Sequence, residues 1–285
     1  MDVISKEELI GKVSDPKVLP GVARRVLEII RDEDASIAEI CSIVERDQAI
    51  TTSVLKVANS AFYGLRSKVT SIRQAVVVLG LKTLRNIVFA VSTKLQYKRF
   101  GITEQLMWEH SIGAAVAARH IASRKWKALE EIAFLLGLMH DLGKVFMNNE
   151  CPLAYAQVMQ MIYNEGEASI AAEQAIFGYD HTDVGPLVMH KWGLPSIFAT
   201  VLEYHHLHKI SLDTFTDEDA VHTTACIHVA DNVCRRLGIG YRAPDPSAPV
   251  IDAPVMALLS LSQDSLPKLT ETIRELYEQE KVGFQ

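Results

Sequence analysis

Apolar residues recur along most of this chain at the three- and four-residue spacing of amphipathic helices. Val22, Val26 and Ile29 follow Pro20 at that spacing, and another apolar stripe follows Ser36, a predicted helix cap. No segment shows a convincing alternation of apolar and polar residues, which is the pattern of a half-buried strand. The pattern therefore predicts an all-α fold.

Two short helices and a longer one are predicted in the rest of the first half of the chain. They cover Ala49 to Ala58, Ser71 to Leu79 and Leu81 to Thr93, and Gly80 separates the last two. The β-branched run Val76-Val77-Val78 lies inside a helical pattern, so it is assigned to a helix rather than to a strand.

The second half opens with a long predicted helix from about Thr103 to Ser123, which is followed by another from Leu129 to Met147. The latter is apolar on almost every side, as in a helix at the centre of a domain. Later helices are predicted at Leu153 to Asn164, Ala168 to Phe177, His181 to Trp192, Ser196 to His206 and Thr216 to Leu237. A loop rich in glycine and proline from Ile239 to Val250 precedes an amphipathic end at Leu266 to Val282, which either packs on the body or caps a dimer.

Composition limits the classes of protein that this sequence can represent. At 285 residues the chain exceeds the common domain size of about 100–150 residues, so one large helical domain or two packed subdomains are expected. The 29 basic and 35 acidic residues are scattered and give a net charge of -6, which disfavours a nucleic-acid partner.

Neither a secreted nor a membrane protein is indicated. The four cysteines are widely spaced, with no CxxC pair, and are expected to be reduced core thiols. The first residues lack the apolar core of a signal peptide, and no run approaches the roughly 20 apolar residues of a membrane span. A cytoplasmic location is predicted.

The strongest chemical feature is the pair His140-Asp141, which falls within the most apolar predicted helix. A buried carboxylate must be paired, hydrogen-bonded or bound to a metal, because burying it alone costs several kcal/mol. Lys144 lies four residues after His140 and three after Asp141, so it is predicted to share their helix face.

Further polar candidates come from separate predicted helices, where imidazole and carboxylate groups could converge on first-row divalent metals such as iron, manganese or zinc. They are His110, His181, His205, His206 and Asp231. Taken singly, any one histidine is more often a hydrogen-bonded structural residue than a ligand. The other five histidines are assigned to that structural class: His120, His190, His208, His222 and His228. Of these, His208 and His222 are expected to lie in or beside loops.

Two sets of motifs resemble known families. The order His110, His140-Asp141, Asp231, with GLMHDLGK around the pair, resembles the HD superfamily of metal-dependent phosphohydrolases. The segments Arg46 to Gly64 and Ser71 to Val88 narrow this resemblance to the HDOD family, the HD-related output domain of bacterial signalling proteins. Four further motifs agree with the HDOD family: Leu19-Pro20, His181-Thr182-Asp183-Val184-Gly185, Leu194-Pro195-Ser196-Ile197 and Tyr204-His205-His206. The similarity therefore extends from about Lys17 to Ile210.

The resemblance implies an HD-like multi-helix bundle with a packed helical N-terminal subdomain. On this view residues 1–100 form the N-terminal part, 101–238 the metal-site subdomain, and 239–285 a loop and a terminal amphipathic helix. The arrangement also resembles the HD-GYP phosphodiesterases, although no GYP motif follows His206 and Leu106 stands where a third-metal glutamate is used.

The ligand set implied by the resemblance contains two divalent metal ions, with iron or manganese favoured over zinc. One ion would be held by His110, His140, Asp141 and Asp231. The other would be held by Asp141, His181 and His205. Lys144 and His206 would face a substrate phosphate or a further metal ion, and they are the candidate catalytic residues.

Two functions are expected from this resemblance, and the sequence leaves the choice between them open. The first is a noncatalytic regulatory module with a signalling protein as its partner. The second is a metal-dependent phosphohydrolase or phosphodiesterase acting on a phosphorylated nucleotide. No nucleic-acid or membrane partner is expected, and a homodimer is left open.

Overall fold

The computed structural model describes residues 3–13, 37–59, 65, 68–207, 211–241, 243–245 and 251–284. All regular secondary structure in these ranges is helical, which confirms the all-α prediction. The helix predicted after Pro20 lies outside the described residues, as does His208.

The N-terminal part contains four described helices. They are α1 (Lys6–Val13), α2 (Ile37–Glu45), α3 (Gln48–Ala58) and α4 (Ile72–Lys94). The backbone of α4 is interrupted at Gly80, whose φ of 77° suits glycine, so the predicted separation of two segments at this residue is confirmed. Apolar faces of α2, α3 and α4 enclose one hydrophobic core, which includes Val44 and Leu84.

The rest of the described chain forms a larger helical body. Its α-helices are α5 (Ile102–Ser123), α6 (Glu130–Met139), α7 (Leu142–Glu150), α8 (Pro152–Gln160), α9 (Ser169–Phe177), α10 (His181–Lys191), α11 (Ser196–Tyr204), α12 (Glu218–Leu237), α13 (Ala253–Leu258) and α14 (Leu266–Phe284). Helices α5, α6 and α12 pack together at the centre of a second hydrophobic core. Trp192 and Phe284 pack against both cores and thereby join the two parts.

The amphipathic C-terminal end packs on the body of the same chain. In α14, Glu280 accepts a hydrogen bond of 2.5 Å from Arg119 of α5. The Phe284 carbonyl accepts from the Trp108 indole and from the Lys94 ammonium, each at 3.2 Å. The first of the two alternatives for this segment is therefore confirmed.

One described helix passes a composition test for a membrane span. An 18-residue window of α4 has a mean hydropathy of 1.6, but 56% of that window is buried within the protein. Core helices of soluble proteins pass the same test, and the break at Gly80 interrupts this helix. The apolar character of α4 is therefore explained by its place in the N-terminal core.

Helices α5 and α6 approach each other closely at Gly137. A Cβ atom at this position would lie 2.8 Å from the Ala114 carbonyl oxygen and 2.9 Å from the Ala115 Cα. Both contacts are with backbone, which a side-chain rotation cannot relieve. This approach matters for function because α5 carries His110 and α6 leads directly into His140.

We expect Gly137→Ala to lower the free energy of unfolding by about 1–3 kcal/mol, because the added methyl group overpacks the helix contact. Gly11→Ala in α1 is the matched control, since its Cβ would meet no atom within 4 Å. That control should be neutral or stabilising by up to about 1 kcal/mol through helix propensity. Urea unfolding of both variants measures the difference, and equal stability would refute the close packing.

Candidate metal centre

The pair His140-Asp141 lies in a turn between two helices. Helix α6 ends at Met139, and α7 begins at Leu142. The prediction of one continuous helix from Leu129 to Met147 is therefore wrong. Apolar periodicity continues through both helices, so the hydrophobic pattern alone does not reveal the change in chain direction.

Close packing brings the start of α7 against the start of α10. A Cβ atom at Gly143 would overlap the backbone carbonyl of His181, so only glycine permits this approach. The contact places Asp141, just before α7, beside the imidazole of His181, the first residue of α10. Asp141 and His181 are both buried.

The two oxygen atoms of the Asp141 carboxylate face different groups of histidines. Oδ2 lies 3.6 Å from His110 Nε2 and 3.4 Å from His140 Nε2. Oδ1 lies 3.3 Å from His181 Nε2 and 3.8 Å from His205 Nε2. Asp141 therefore stands between two clusters of nitrogen ligands.

The first cluster contains His110, His140 and Asp231, whose candidate ligand atoms all lie within 4.8 Å of one another. Asp231 Oδ1 is 3.0 Å from His110 Nε2. The second cluster contains Asp141, His181, His205 and His206 and meets the same distance limit. The structure thus brings together every metal and catalytic residue named from the sequence, including Lys144, whose Nζ donates to Asp141 Oδ2 at 2.7 Å.

Backbone carbonyl groups fix the direction of three imidazoles. His140 Nδ1 donates to the Gly137 carbonyl at 2.6 Å, and His205 Nδ1 donates to the Leu202 carbonyl at 3.0 Å. His110 Nδ1 donates to the carbonyl of Ile239 at 3.3 Å. In each case the Nε2 atom is left facing the cluster, which is the orientation of a metal-binding histidine.

Glu173 orients the fourth imidazole, a role that the sequence pattern does not predict. This fully buried carboxylate in α9 accepts from His181 Nδ1 at 2.6 Å, from the His181 backbone N–H at 2.9 Å and from the Tyr155 hydroxyl at 2.8 Å. The available signal was a glutamate among the apolar residues of α9, eight residues before a candidate ligand. Asp180 is also near His181, but its side chain caps α10 by accepting from the Thr182 N–H at 2.8 Å.

The histidines assigned to structural roles occupy other positions. His228 Nδ1 donates to the carbonyl of His205 at 2.9 Å, which supports the turn that carries two of the candidate residues. His222 stacks on Trp126 with ring centroids 3.9 Å apart. It lies within α12, so the prediction that placed it in or beside a loop is wrong.

Charges within the clusters strongly affect their protonation. Burial favours the neutral form of Asp141, but His140 and Lys144 together hold its pKa well below the usual range. Burial lowers the pKa of both His205 and His206 well below the usual value, which favours their neutral imidazole form. The ionised Asp141 and the neutral His205 and His206 are in the protonation states that metal binding requires. Burial lowers the pKa of His140, but the charges around it, Asp141 foremost, leave it above the usual value, so a metal ion would displace the proton of this imidazole.

A small cavity opens beside Asp141. Its volume is about 50 Å³, and its lining includes His110, Asp141, Lys144, Tyr155, Tyr163 and Tyr241. A water molecule needs roughly 10–15 Å³ by this measure, whereas pockets for drug-sized ligands span roughly 300–1,000 Å³. The cavity therefore has room for a few water-sized groups.

The segment 239–241 covers one side of this cavity, although its sequence predicts only a connecting loop. Gly240, at a φ of 75°, passes so close to α5 that a Cβ atom would lie 2.6 Å from the His110 backbone nitrogen. The ring of Tyr241 meets that of His110 edge-on at 5.4 Å. This close passage of the loop shields the first cluster from solvent.

The donor set of the two clusters suits divalent metal ions. His140 Nε2 and Asp141 Oδ1 are buried and have no hydrogen-bond partner among the described residues. Leaving such atoms unpaired costs about 1–3 kcal/mol each, and a metal ion would satisfy them. Nitrogen and carboxylate ligands without thiolates suit iron, manganese or zinc.

Comparison with known proteins agrees with this architecture. The family model of the HDOD domain matches residues 17–208. A curated uncharacterised protein from Treponema pallidum (strain Nichols) is 21% identical over 199 residues, which are 70% of this chain and 39% of that protein. The chain thus spans about two fifths of the length of that relative.

Two solved structures share the fold over nearly their full length. An HDOD domain protein of unknown function from Geobacter sulfurreducens is 24% identical, with a TM-score of 0.72 over 95% of this chain and 96% of that one. A proposed metal-dependent phosphohydrolase from Shewanella amazonensis SB2B is 18% identical, with a TM-score of 0.59 over 98% of each chain. At sequence identities of 24% and 18%, the similarity to these two proteins establishes a shared fold.

Proposed function

The chain belongs to the HDOD family, and we propose that it is a regulatory signalling module whose helical body holds two divalent metal ions. The position of Asp141 is the observation that carries this proposal. Its two oxygen atoms face two separate clusters of buried nitrogen and oxygen ligands at 3.3–3.8 Å. A carboxylate in this position is suited to bridging a pair of ions.

The assignment of ligands follows the two clusters. The first ion would be held by His110, His140, Asp141 and Asp231, and the second by Asp141, His181 and His205. His206 lies within reach of both ions. His206 Nε2 lies 3.1 Å from His181 Nε2, and its Nδ1 lies 3.4 Å from Asp231 Oδ2. Iron or manganese is favoured over zinc.

Cavity size supports a regulatory role over catalysis on a nucleotide. About 50 Å³ admits a few water-sized groups, whereas a nucleotide needs a pocket several times larger. A metal pair at this site would tie together helices α5, α7, α10 and α12 and stabilise one arrangement of the body. A signalling protein that binds this arrangement is the expected partner, and the proposed setting is the bacterial cytoplasm.

Metal content of the protein purified without chelators or a histidine tag tests this proposal directly. Mass spectrometry should find about two equivalents of iron, manganese or zinc per chain. Absence of metal, even after reconstitution with each ion, would show that the clusters do not bind metal and would refute the proposed centre.

A phosphohydrolase is the second candidate, and Lys144 favours it. Its ammonium group lines the cavity and donates to Asp141 Oδ2 at 2.7 Å, so it could also hold a phosphoryl oxygen. His206 is the other candidate contact to a substrate phosphate. Bound metal ions would supply an activated water and stabilise charge on the phosphoryl group.

Hydrolysis of p-nitrophenyl phosphate and bis(p-nitrophenyl) phosphate by the metal-loaded chain separates the two candidates. The regulatory proposal predicts no turnover above that of the Asp141→Asn variant. Turnover that disappears in Lys144→Met as well as in Asp141→Asn would establish the enzyme instead.

We expect Glu173→Gln to weaken binding of the second ion by about 10–100-fold and to leave the first ion in place. The amide removes the negative charge that orients His181 but preserves the size of the side chain. Competition with a chelator, followed by metal analysis, should show one tightly held equivalent instead of two. Exposed Glu165→Gln is the matched control, and identical metal affinity in both variants would exclude a positioning role for Glu173.

A further inference from the structure

A second pocket lies between the end of α5 and the start of α14. It has a volume of about 320 Å³ and is lined by His120, Arg124, Ser265, Lys268, Leu269 and Thr272. None of these residues lines the cavity beside Asp141. At 1.5 Å per residue along α5, His120 is about 15 Å from His110, so the two sites are separate.

This pocket, which we term the cationic groove, contains two positive charges and no lining carboxylate. Within the described part of the chain, Arg124 and Lys268 form no ion pair, whereas other cations nearby are engaged. Arg119 pairs with Glu280, and the Lys125 ammonium donates to the Leu258 carbonyl at 2.8 Å. The two cations of the groove are therefore available to a ligand.

The acidic residues that adjoin the groove in sequence do not neutralise it. Glu271 is engaged by Arg274 at 2.5 Å, and neither Glu271 nor Asp264 is among the lining residues. A positive potential at His120 is also indicated by its lowered pKa, which arises from burial and from the charges of Arg124 and Arg119. The groove thus repels cations and attracts anions.

The hydrogen-bonding state of the groove specifies which side chains can hold an anion. The Ser265 hydroxyl donates to the Ser262 carbonyl at 2.8 Å, and the Thr272 hydroxyl donates to the Lys268 carbonyl at 3.0 Å. Donors for a ligand must therefore come from Arg124, Lys268 and His120. Guanidinium and ammonium groups form strong charge-assisted hydrogen bonds with phosphate oxygens.

We propose that the cationic groove is a second ligand site that binds the phosphate group of a small phosphorylated molecule. Two positive charges match a phosphate monoester, which carries about -1.5 to -2 charges and three acceptor oxygens at neutral pH. A volume of about 320 Å³ falls within the range of small-molecule pockets and leaves room for an organic part beside Leu269.

Titration of inorganic phosphate into the full chain tests this site, with the His120 imidazole resonance as the NMR reporter, assigned by comparison with His120→Gln. The protein is first treated with a chelator, so that phosphate cannot bind through metal ions, and ionic strength is held constant with chloride. Phosphate should produce a saturable shift. Arg124→Gln and Lys268→Gln should each weaken binding at least about fivefold, as expected for loss of a charge-assisted contact.

Lys82→Gln is the control, because it removes one exposed positive charge from α4 in the N-terminal part. This variant should bind phosphate as the unaltered chain does. Three results would overturn the proposal: no saturable shift, the same shift with chloride alone, or equal weakening by Lys82→Gln. The first excludes a site, and the other two reduce the effect to nonspecific attraction.

Discussion

Asp141→Asn should lower metal content from about two equivalents per chain to almost none. The substitution preserves the size of the side chain but removes the charge that faces both clusters, with Oδ2 toward His110 and His140 and Oδ1 toward His181 and His205. Metal analysis after purification of the variant and the unaltered chain under identical conditions measures the effect.

Two comparisons make this result specific. His140→Ala should also lose metal, whereas His120→Ala should retain it because His120 belongs to neither cluster. Retention of both equivalents in Asp141→Asn would contradict the bridging role, and retention of one would assign the carboxylate to a single ion. Circular dichroism should confirm that each variant remains helical, since loss of Asp141 leaves the buried Lys144 ammonium without its partner.

Removal of metal by a chelator should lower the melting temperature by about 5–10 °C. The ligands come from five segments that are far apart in sequence, so the intact site exists only in the folded chain. A ligand that binds only the folded state adds about 2.7 kcal/mol at 100 times its Kd, and about 1 kcal/mol shifts the melting temperature by roughly 2–4 °C in a protein of 150–250 residues. Calorimetry with and without chelator measures this shift.

The same scan on Asp141→Asn provides the control for direct effects of the chelator. The melting temperature of that variant should be the same with and without chelator, because the variant has little metal to lose. An unchanged melting temperature in the unaltered chain would mean that the clusters are not occupied. A shift of equal size in Asp141→Asn would mean that the chelator acts elsewhere.

The sequence by itself determined the helical class of this protein and indicated which polar residues are candidate ligands. Apolar spacing is a local property, so it predicted α5, α9, α10 and α12 to within about two residues, and it separated the two segments of α4 at Gly80. The candidate ligands could be named because each is a polar residue within a predicted helix and because their order resembles that of a known superfamily.

Tertiary structure decided how those residues are arranged. The turn at His140-Asp141 was hidden because apolar spacing continues across it, and only the folded chain brings Gly143 against the backbone of His181. Glu173 acquires its role only through its bonds to His181. The cationic groove likewise exists only where the end of α5 meets the start of α14. Hydrophobic periodicity specifies which face of each helix is buried, whereas contacts between helices distant in sequence depend on how those faces pack together.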